Sequence, residues 1–288
     1  MNIKIEKRLK RIFLYLMVTL IVAVVVLPYL WLIISSISKK VDLLEVPLKL
    51  SSNEPTFENY KNIIFGTSNR TSDAASQFMT AFKNSTIVSV LVTVISMIIG
   101  VPAAYAFCRV NFKRKSFLFN SIMFLQMIPS IALIIPMYMI MIKFKLLDKK
   151  LTLVVVYLSF ILPYMIWIMK GYFEGIPVEV EEAALVDGCN RFKAFYRIVL
   201  PISSSGLAAT TIFVFIMSWN EFFYALNFTY TTSSKTLPVL ITEFSSKFGT
   251  DYILTSTAGV IASIPPVFLS LIFQKYIISG LSSGAVKK

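Results

Sequence analysis

Long apolar runs constrain this chain more than any other feature, because six of them are long enough to cross a lipid bilayer. A hydrocarbon core of about 30 Å needs roughly 20 residues of helix. Backbone polar groups in lipid must be satisfied within the segment, so continuous apolar runs predict helices, whereas a membrane barrel would show short alternating segments. The chain is therefore predicted to be an all-α integral membrane protein. The predicted spans lie near residues 12–36, 84–108, 117–142, 151–171, 203–226 and 257–279.

The charge distribution fits a membrane protein better than a nucleic-acid-binding one. Charged residues make up 15% of the chain, against about a quarter in soluble domains. The net charge of +13 would suit nucleic acid, but the basic residues form short clusters at the ends of the apolar runs. Membrane topology explains such clusters, and we expect no nucleic-acid partner.

Basic residues also predict the orientation. The tract from Lys4 to Arg11 precedes the first span, whose apolar run is longer than a signal-peptide core, so we expect an uncleaved anchor with a cytoplasmic N-terminus. Alternation then places residues 109–115, the loop after the fourth span and the C-terminal tail in the cytoplasm. One short outer loop, Lys143 to Lys150, carries four lysines and favours the opposite orientation.

Several chemistries are excluded by composition. The chain contains no histidine, so it has no Ser-His-Asp triad, no His-ligated metal and no imidazole proton relay. Cys108 and Cys189 lie far apart on the predicted cytoplasmic side, where reduced thiols are expected. We predict no catalytic residue and no metal site in this chain.

The polar loop at residues 174–201 has the features of two short helices on the membrane surface. Pro177 suits a helix start, the glutamates after it complement the helix dipole, and Gly188 suits a left-handed end. A second short helix is predicted to carry Phe192, Phe195, Ile198 and Leu200 on its apolar side. The alternative is an ordinary interfacial amphipathic helix. Five of the 15 acidic residues lie in this loop, which opposes binding to an anionic leaflet and favours protein docking.

The spacing within this loop resembles the EAA loop of ABC importer permeases. That family places Glu-Ala-Ala four residues before a glycine, as at Glu182–Ala184 and Gly188, with an Ile-x-Leu-Pro group after a further gap, as at residues 198–201. Segments outside the loop, from Asn84 to the C-terminus, are also similar to those of carbohydrate-uptake permeases, most closely the maltose-type second permease. They are Gly100 to Arg109, Met127-Ile128-Pro129, Ser218 to Phe222, Gln274-Lys275-Tyr276 and Gly284 to Lys287.

This resemblance implies a type I importer permease fold and a division of labour among subunits. The partners would be a second permease, a different chain, together with two ATPase subunits, an extracellular solute-binding protein, the sugar substrate and membrane lipid. No cofactor is expected here, because the sequence has no Gly-x-x-x-x-Gly-Lys-Ser/Thr phosphate loop, so ATP and Mg would bind the ATPase subunits. The implied location is the bacterial cytoplasmic membrane. The residues expected to dock the ATPase are Glu181, Glu182, Ala183, Ala184, Asp187, Gly188, Arg191 and Phe192.

The expected organisation has four parts. They are a cytoplasmic N-terminus at 1–11, the first span with a long extracellular loop at 12–83, a five-helix permease core at 84–279 that includes the EAA loop at 174–201, and a cytoplasmic tail at 280–288. Within the outer loop at 227–256, the stretch Leu237–Leu240 is either a partner-docking segment or a solvated connector.

Polar and aromatic side chains within the spans are candidates for a translocation path. A sugar path needs amides, hydroxyls and aromatic faces, which Gln126, Tyr138, Trp219 and Asn220 supply. The alternative for each is a helix–helix contact or a place in the interfacial aromatic belt. Glu221 lies near the predicted outer interface and is expected either to snorkel to it or to anchor a loop.

Three alternatives remain open for the function. The same machine could carry glycerol phosphate, a polyol or an amino acid, although a phosphate cargo would favour basic residues inside the spans. An ion-driven transporter would need buried acids, and only Glu221 comes near. A membrane enzyme would need clustered catalytic groups, and the one acidic cluster lies in the polar loop.

Overall fold

The computed structural model describes residues 3–39, 55–66, 74–246 and 249–285. The elements in these ranges are, in chain order, α1 (Ile3–Ser36), α2 (Glu58–Phe65), α3 (Ala74–Arg109), α4 (Lys115–Leu125), α5 (Ser130–Lys143), α6 (Lys150–Glu174), α7 (Val178–Val186), α8 (Arg191–Ala194), a π-helical turn (Phe195–Val199), α9 (Leu200–Ile202), α10 (Ser204–Trp219), α11 (Phe223–Phe228), α12 (Leu237–Thr242), β1 (Ser245–Ser246), β2 (Gly249–Thr250) and α13 (Tyr252–Ala285). The two short strands form an antiparallel pair.

The chain divides into two compact units. The first comprises residues 1–79 and 241–262, and the second comprises residues 80–240 and 263–288. In the first unit, polar contacts meet at the end of α1. The carbonyl of Ser36 accepts hydrogen bonds from Asn59 Nδ2 at 2.9 Å and from the Thr257 hydroxyl at 3.3 Å. A helix leaves its last carbonyls unpaired, so these donors satisfy a group that would otherwise lack a partner.

Helix α6 is the centre of the second unit. A row at every fourth residue along it is fully buried and consists of Leu153, Tyr157, Ile161, Met165, Met169 and Phe173. Residues four apart share one helical face, so this row is the side of α6 against which its neighbours pack. Helices α10 and α11 both contact α6. The fourth predicted span is thus the core helix of this unit.

Within the described residues, four helices are long and apolar enough to cross a membrane, and two bent helix pairs bring the number of spans to six if each pair crosses once. The four are α1, α3, α6 and α13; α13 runs on to Ala285, past the predicted end at 279. The third predicted span is divided into α4 and α5, which meet at 97°. Pro129 precedes α5 and has a non-helical backbone, with ψ 131°. The residue before a proline also avoids the helical conformation, so the helix is interrupted at this point.

The fifth predicted span differs most from its helix. Helix α10 begins at Ser204, after a 79° bend from the preceding segment Arg191–Ile202, and it ends at Trp219 rather than at 226. The chain restarts as α11 because both carboxylate oxygens of Glu221 accept backbone hydrogen bonds, from Tyr224 N at 2.8 Å and from Ala225 N at 3.1 Å. The expectation that Glu221 anchors a loop agrees with this geometry.

The outer stretch Leu237–Leu240 is neither a docking surface nor a solvated connector. Leu237, Val239 and Leu240 are buried, and the amide of Leu237 donates to the Ser85 hydroxyl at 2.8 Å. The sequence interpretation was wrong here because the apolar side chains of α12 face the interior of the chain. Residues 40–54 and 67–73 of the predicted extracellular loop at 37–83, and the tail residues 286–288, lie outside the described residues.

Candidate functional site

The first helix of the polar loop begins and ends as the sequence predicted. Pro177 immediately precedes α7, and Gly188 lies in the left-handed region with φ 84°. The amide of Gly188 donates to the carbonyl of Leu185, and the amide of Cys189 donates to the carbonyl of Ala184. This pair of bonds is a Schellman motif, which requires a residue that tolerates positive φ at the glycine position.

The second short helix is irregular, and one of its side chains does not face the expected way. Asn190 caps α8 by accepting a hydrogen bond from the Lys193 amide at 2.8 Å, and a π-helical turn follows. Phe195 and Val199 are buried, whereas Phe192 is 69% exposed. The predicted apolar side that grouped Phe192 with Phe195 was therefore wrong, because the buried row runs through Ala194, Phe195 and Val199 instead.

The inward side of the loop carries a buried charge pair. Glu181 is 4% exposed. One of its carboxylate oxygens accepts a hydrogen bond from the Tyr105 hydroxyl, and the other lies 3.2 Å from Nε of Arg109. Both partners belong to α3, so the loop is attached to the second span. Glu181, placed by the sequence among the docking residues, is not on the exposed side of the loop.

Arg109 extends the attachment to a third segment. Its Nη2 donates to the carbonyls of Phe173 at 3.0 Å and Ile176 at 2.5 Å, at the end of α6. The Tyr105 ring lies 4.6 Å from the Phe195 ring and makes an edge contact with Phe173 at 6.0 Å between centroids. The C-terminal ends of α3 and α6 and both parts of the loop thus meet at one buried cluster.

The other side of the loop is exposed and includes apolar residues. Val186 is 87% exposed, and the ring of Phe192 lies 4.6 Å from that of Tyr196. The sequence-predicted docking residues on this side are all exposed; they are Glu182, Ala183, Asp187, Gly188, Arg191 and Phe192. Ala184 is buried. Val186 was missed because valine beside a helix end has no distinctive sequence signal.

Two of the predicted path residues contact other helices in this conformation. Gln126 lies at the break between α4 and α5, where its Nε2 donates to the Phe160 carbonyl of α6 at 3.0 Å. Tyr138 makes an edge contact with Phe228, with 5.7 Å between ring centroids. Both side chains are half-buried. Each contact corresponds to the helix–helix role that was the alternative to a path role.

The other two path candidates differ sharply in exposure. Trp219 is 3% exposed, with its ring stacked on Phe215 at 5.7 Å and in edge contact with Phe82 at 5.5 Å. Asn220 is exposed at the C-terminus of α10. Trp219 therefore packs within the chain, whereas Asn220 presents its amide outward.

A connected aromatic series lies beside Gln126 and was not recognised in the sequence. Tyr138 contacts Phe228, Phe228 contacts Tyr224, and Tyr224 stacks on Phe160 at 5.4 Å and 16°. The series joins α5, α6 and α11. These residues are ordinary apolar positions of spans when read singly, so only the tertiary contacts group them.

The loop after α11 is attached through Asp148, which lies between α5 and α6. Its Oδ1 accepts from the amides of Tyr230 at 2.9 Å and Thr231 at 3.1 Å and from the Ser234 hydroxyl, and its Oδ2 accepts from the Thr231 hydroxyl at 2.5 Å. Burial raises the pKa of this carboxyl, but hydrogen bonds from Ser234, Thr231 and the two amides outweigh it and lower the pKa to about 2.

A second attachment of the same loop lies at the start of the second predicted span. Asn84 Nδ2 donates to the carbonyls of Thr232 at 3.1 Å and Lys235 at 2.9 Å, and Lys150 Nζ donates to Asn84 Oδ1 at 3.3 Å and to the Ser233 carbonyl at 3.1 Å. Asn84 is buried. Residues 230–235 are thereby held against α3 and α6.

Comparison with known proteins agrees with this architecture. Residues 96–283 match the family model described as "Binding-protein-dependent transport system inner membrane component". The chain is 35% identical over 283 residues to the trehalose/maltose transport system permease protein MalG of Thermococcus litoralis, covering 98% of this chain and 99% of that protein. It is also 35% identical over 271 residues to the trehalose transport system permease protein SugB of Mycobacterium tuberculosis, covering 93% and 95%.

The fold is shared with a solved transporter. A chain in the crystal structure of a bacterial ABC transporter involved in the import of the acidic polysaccharide alginate superposes with a TM-score of 0.78 at 21% identity, covering 94% of this chain and 97% of that one. At this identity the likeness shows the fold alone. Together, the matched family model and the relatives over nearly the full length establish that this chain belongs to the binding-protein-dependent transport system inner membrane components, the permease subunits of ABC importers.

Proposed function

We propose that this chain is one permease subunit of an ATP-driven sugar importer, and that a separate ATPase moves it through the polar loop at residues 174–201. One observation carries the proposal. The loop has a buried side fixed to two spans and an exposed side that includes the apolar side chains of Val186 and Phe192. Exposed apolar side chains among charged ones are typical of a protein interface.

The loop can transmit force to the spans because it is attached to them. A docked protein that displaced α7 would also displace the inner ends of α3 and α6, because Arg109 and Glu181 bridge them. Alternating access in transporters uses such rigid-body movement of helices around a central site. ATP and Mg would bind the ATPase subunits, and no cofactor is assigned to this chain.

A sugar cargo is supported by the relatives and by the chemistry of the spans. MalG and SugB are named for trehalose or maltose transport, and both align over more than nine-tenths of this chain. The half-buried rings of Tyr138 and Phe160 and the amide of Gln126 are groups of the kinds that bind sugars, and in this conformation they contact neighbouring helices. Among these residues none carries a charge, which disfavours a phosphate cargo.

The remaining subunits follow from the family. We propose a second permease of different sequence, two ATPase subunits on the cytoplasmic side, and an extracellular solute-binding protein facing the loop that contains residues 230–235. This requires both termini in the cytoplasm of a bacterial cell. A reporter fused after Lys288 should be active only if that end is cytoplasmic, and an extracellular reporter would reverse the orientation.

The docking face is tested with Val186→Asp in the complex purified from membranes. A carboxylate at the centre of an apolar contact loses its hydration, so we expect co-purification of the ATPase to weaken about tenfold or more. Val180→Asp is the matched control, because Val180 is also exposed on α7 but lies about 120° around the helix. Equal ATPase recovery with both variants would contradict the proposed docking face.

The cargo is tested by measuring ATP hydrolysis in the complex with its binding protein. Addition of disaccharides and longer oligosaccharides should stimulate hydrolysis for at least one member of the panel. Stimulation by amino acids, polyols or glycerol phosphate, with none by any sugar, would contradict a sugar cargo while leaving the permease assignment intact.

A further inference from the structure

We propose that Tyr105, Arg109 and Glu181 form a latch that transmits movement of the loop to the second and fourth spans, and that Glu181 is a positioning residue and not a docking residue. This inference rests on the proposed function, since a latch matters only if the loop is pushed. It assigns different roles to two adjacent acids, Glu181 inside and Glu182 outside.

The burial pattern separates these two roles. The side chain of Glu181 is 6% exposed and that of Arg109 10%, so neither can reach a partner protein at the outer face. Glu182, one residue later, is exposed. A helix turns 100° per residue, so consecutive side chains on α7 cannot share a face. The residues of α7 that attach the loop to the spans and those that would dock the ATPase therefore lie on different sides of one short helix.

The latch is the polar part of an otherwise apolar contact. Tyr105 and Arg109 are four residues apart on α3 and present both groups to the same carboxylate. Arg109 uses a further nitrogen for the carbonyls of Phe173 and Ile176, so one guanidinium joins α3, the end of α6 and α7. Apolar packing alone would let these elements slide, whereas directional bonds fix their relative positions.

Removal of a single group from the latch should therefore reduce the transmission of loop movement to the spans more than it reduces assembly of this chain with the ATPase. Tyr105→Phe deletes only the hydroxyl and keeps the ring against Phe173 and Phe195. Glu181→Gln keeps the shape of the side chain but removes the charge that pairs with Arg109. Both changes leave the exposed face of α7 unaltered.

The experiment uses the complete complex in proteoliposomes and measures solute imported per ATP hydrolysed. Because hydrogen bonds to a charged group are among the stronger ones, we expect this ratio to fall about tenfold in Tyr105→Phe and in Glu181→Gln. Co-purification of the ATPase should stay at the wild-type level. Glu58→Gln, a change of the same kind at an exposed position of α2 outside the polar loop, is the control and should keep the wild-type ratio.

The double variant Tyr105→Phe with Glu181→Gln provides a second readout. If both residues act through one contact, its ratio should be no lower than that of Glu181→Gln alone, because effects within one interacting pair are not additive. If the ratio in the double variant fell by the product of the two single-variant factors, the two residues would act independently, which would contradict a shared latch.

Two results would overturn the inference. A wild-type ratio in both single variants would show that transmission does not use the latch. Loss of ATPase co-purification in Glu181→Gln, with Glu58→Gln normal, would assign Glu181 to docking. An absence of ATPase co-purification with the wild-type chain would instead overturn the proposed function, on which the latch depends.

Discussion

Gly188 offers the sharpest test of the loop geometry, because within this chain backbone strain is the only cost of replacing it with alanine. Its φ is 84°, and a Cβ built at this position meets no atom within 4 Å. Alanine therefore has room but must adopt a left-handed backbone, at a cost of roughly 1–2 kcal/mol. A free-energy difference of that size changes a population ratio about 5–30-fold. We expect Gly188→Ala to reduce ATP-driven uptake by a factor in this range, through a loop that no longer ends α7 correctly.

Two further variants separate strain from other effects. Gly188→Asn should retain much more uptake than Gly188→Ala, because asparagine tolerates the left-handed region better while being larger. Gly171→Ala is the control, since its Cβ also meets nothing within 4 Å but the backbone is helical, where alanine is favoured over glycine. Uptake is measured in proteoliposomes at equal complex content. Wild-type uptake with Gly188→Ala, or equal losses for alanine and asparagine, would refute the reasoning.

Three other predictions concern packing, pH and the path. Gly206→Ala should lower the unfolding temperature of the detergent-solubilised protein, because its Cβ would lie 2.4 Å from the Tyr172 ring; overpacking of this kind costs about 1–3 kcal/mol. Gly100→Ala should lower the unfolding temperature less, because its Cβ would lie 2.7 Å from the flexible side chain of Met165. A larger loss of unfolding temperature in Gly100→Ala than in Gly206→Ala would contradict the packing. Asp148→Asn should destabilise the protein most above about pH 5, because the folded pKa of about 2 lies below the unfolded value near 3.9, and this contribution is lost as pH falls through the folded value. A difference from wild type that does not shrink between pH 5 and pH 2 would contradict this. Gln126→Ala should reduce sugar uptake if Gln126 lines the path in another conformation, and unchanged uptake would remove it from the path.

The fold class and the loop could be predicted because both depend on local signals. Membrane-length apolar runs specify helices, and the α7 boundaries follow from a proline before it and a glycine after it. The resemblance in residues 182–201 supplied the family, which the matched model at 96–283 confirms. These features are readable because each is encoded within about twenty consecutive residues.

The breaks within spans were harder to predict. Hydropathy stays high through residues 117–142, and although the prolines mark possible interruptions of the helix, the sequence does not specify that the chain bends by 97° at Pro129 while Pro136 lies within a continuous helix. The early end of α10 has a different origin. Glu221 begins a new helix by accepting two amide hydrogen bonds, and a single acid near a span end has several possible roles in a sequence.

The division of the loop into two sides could not be predicted from the sequence. Glu181 and Glu182 are identical in type and adjacent, and only the position of Tyr105 and Arg109 on α3 decides which one is buried. Phe192 and Val186 differ from expectation in the opposite way to Glu181, because they are apolar residues that are exposed and not buried. Tertiary contacts between distant segments set all of these positions.

The most direct test of the account is simultaneous measurement of solute uptake and ATP hydrolysis in proteoliposomes that contain this chain, its partner permease and the ATPase subunits. With the loaded binding protein present, uptake and hydrolysis should rise together, and both should stop when ATP or the ATPase is omitted. Uptake driven by a proton or sodium gradient without ATP would contradict the central claim that the loop connects this chain to an ATPase.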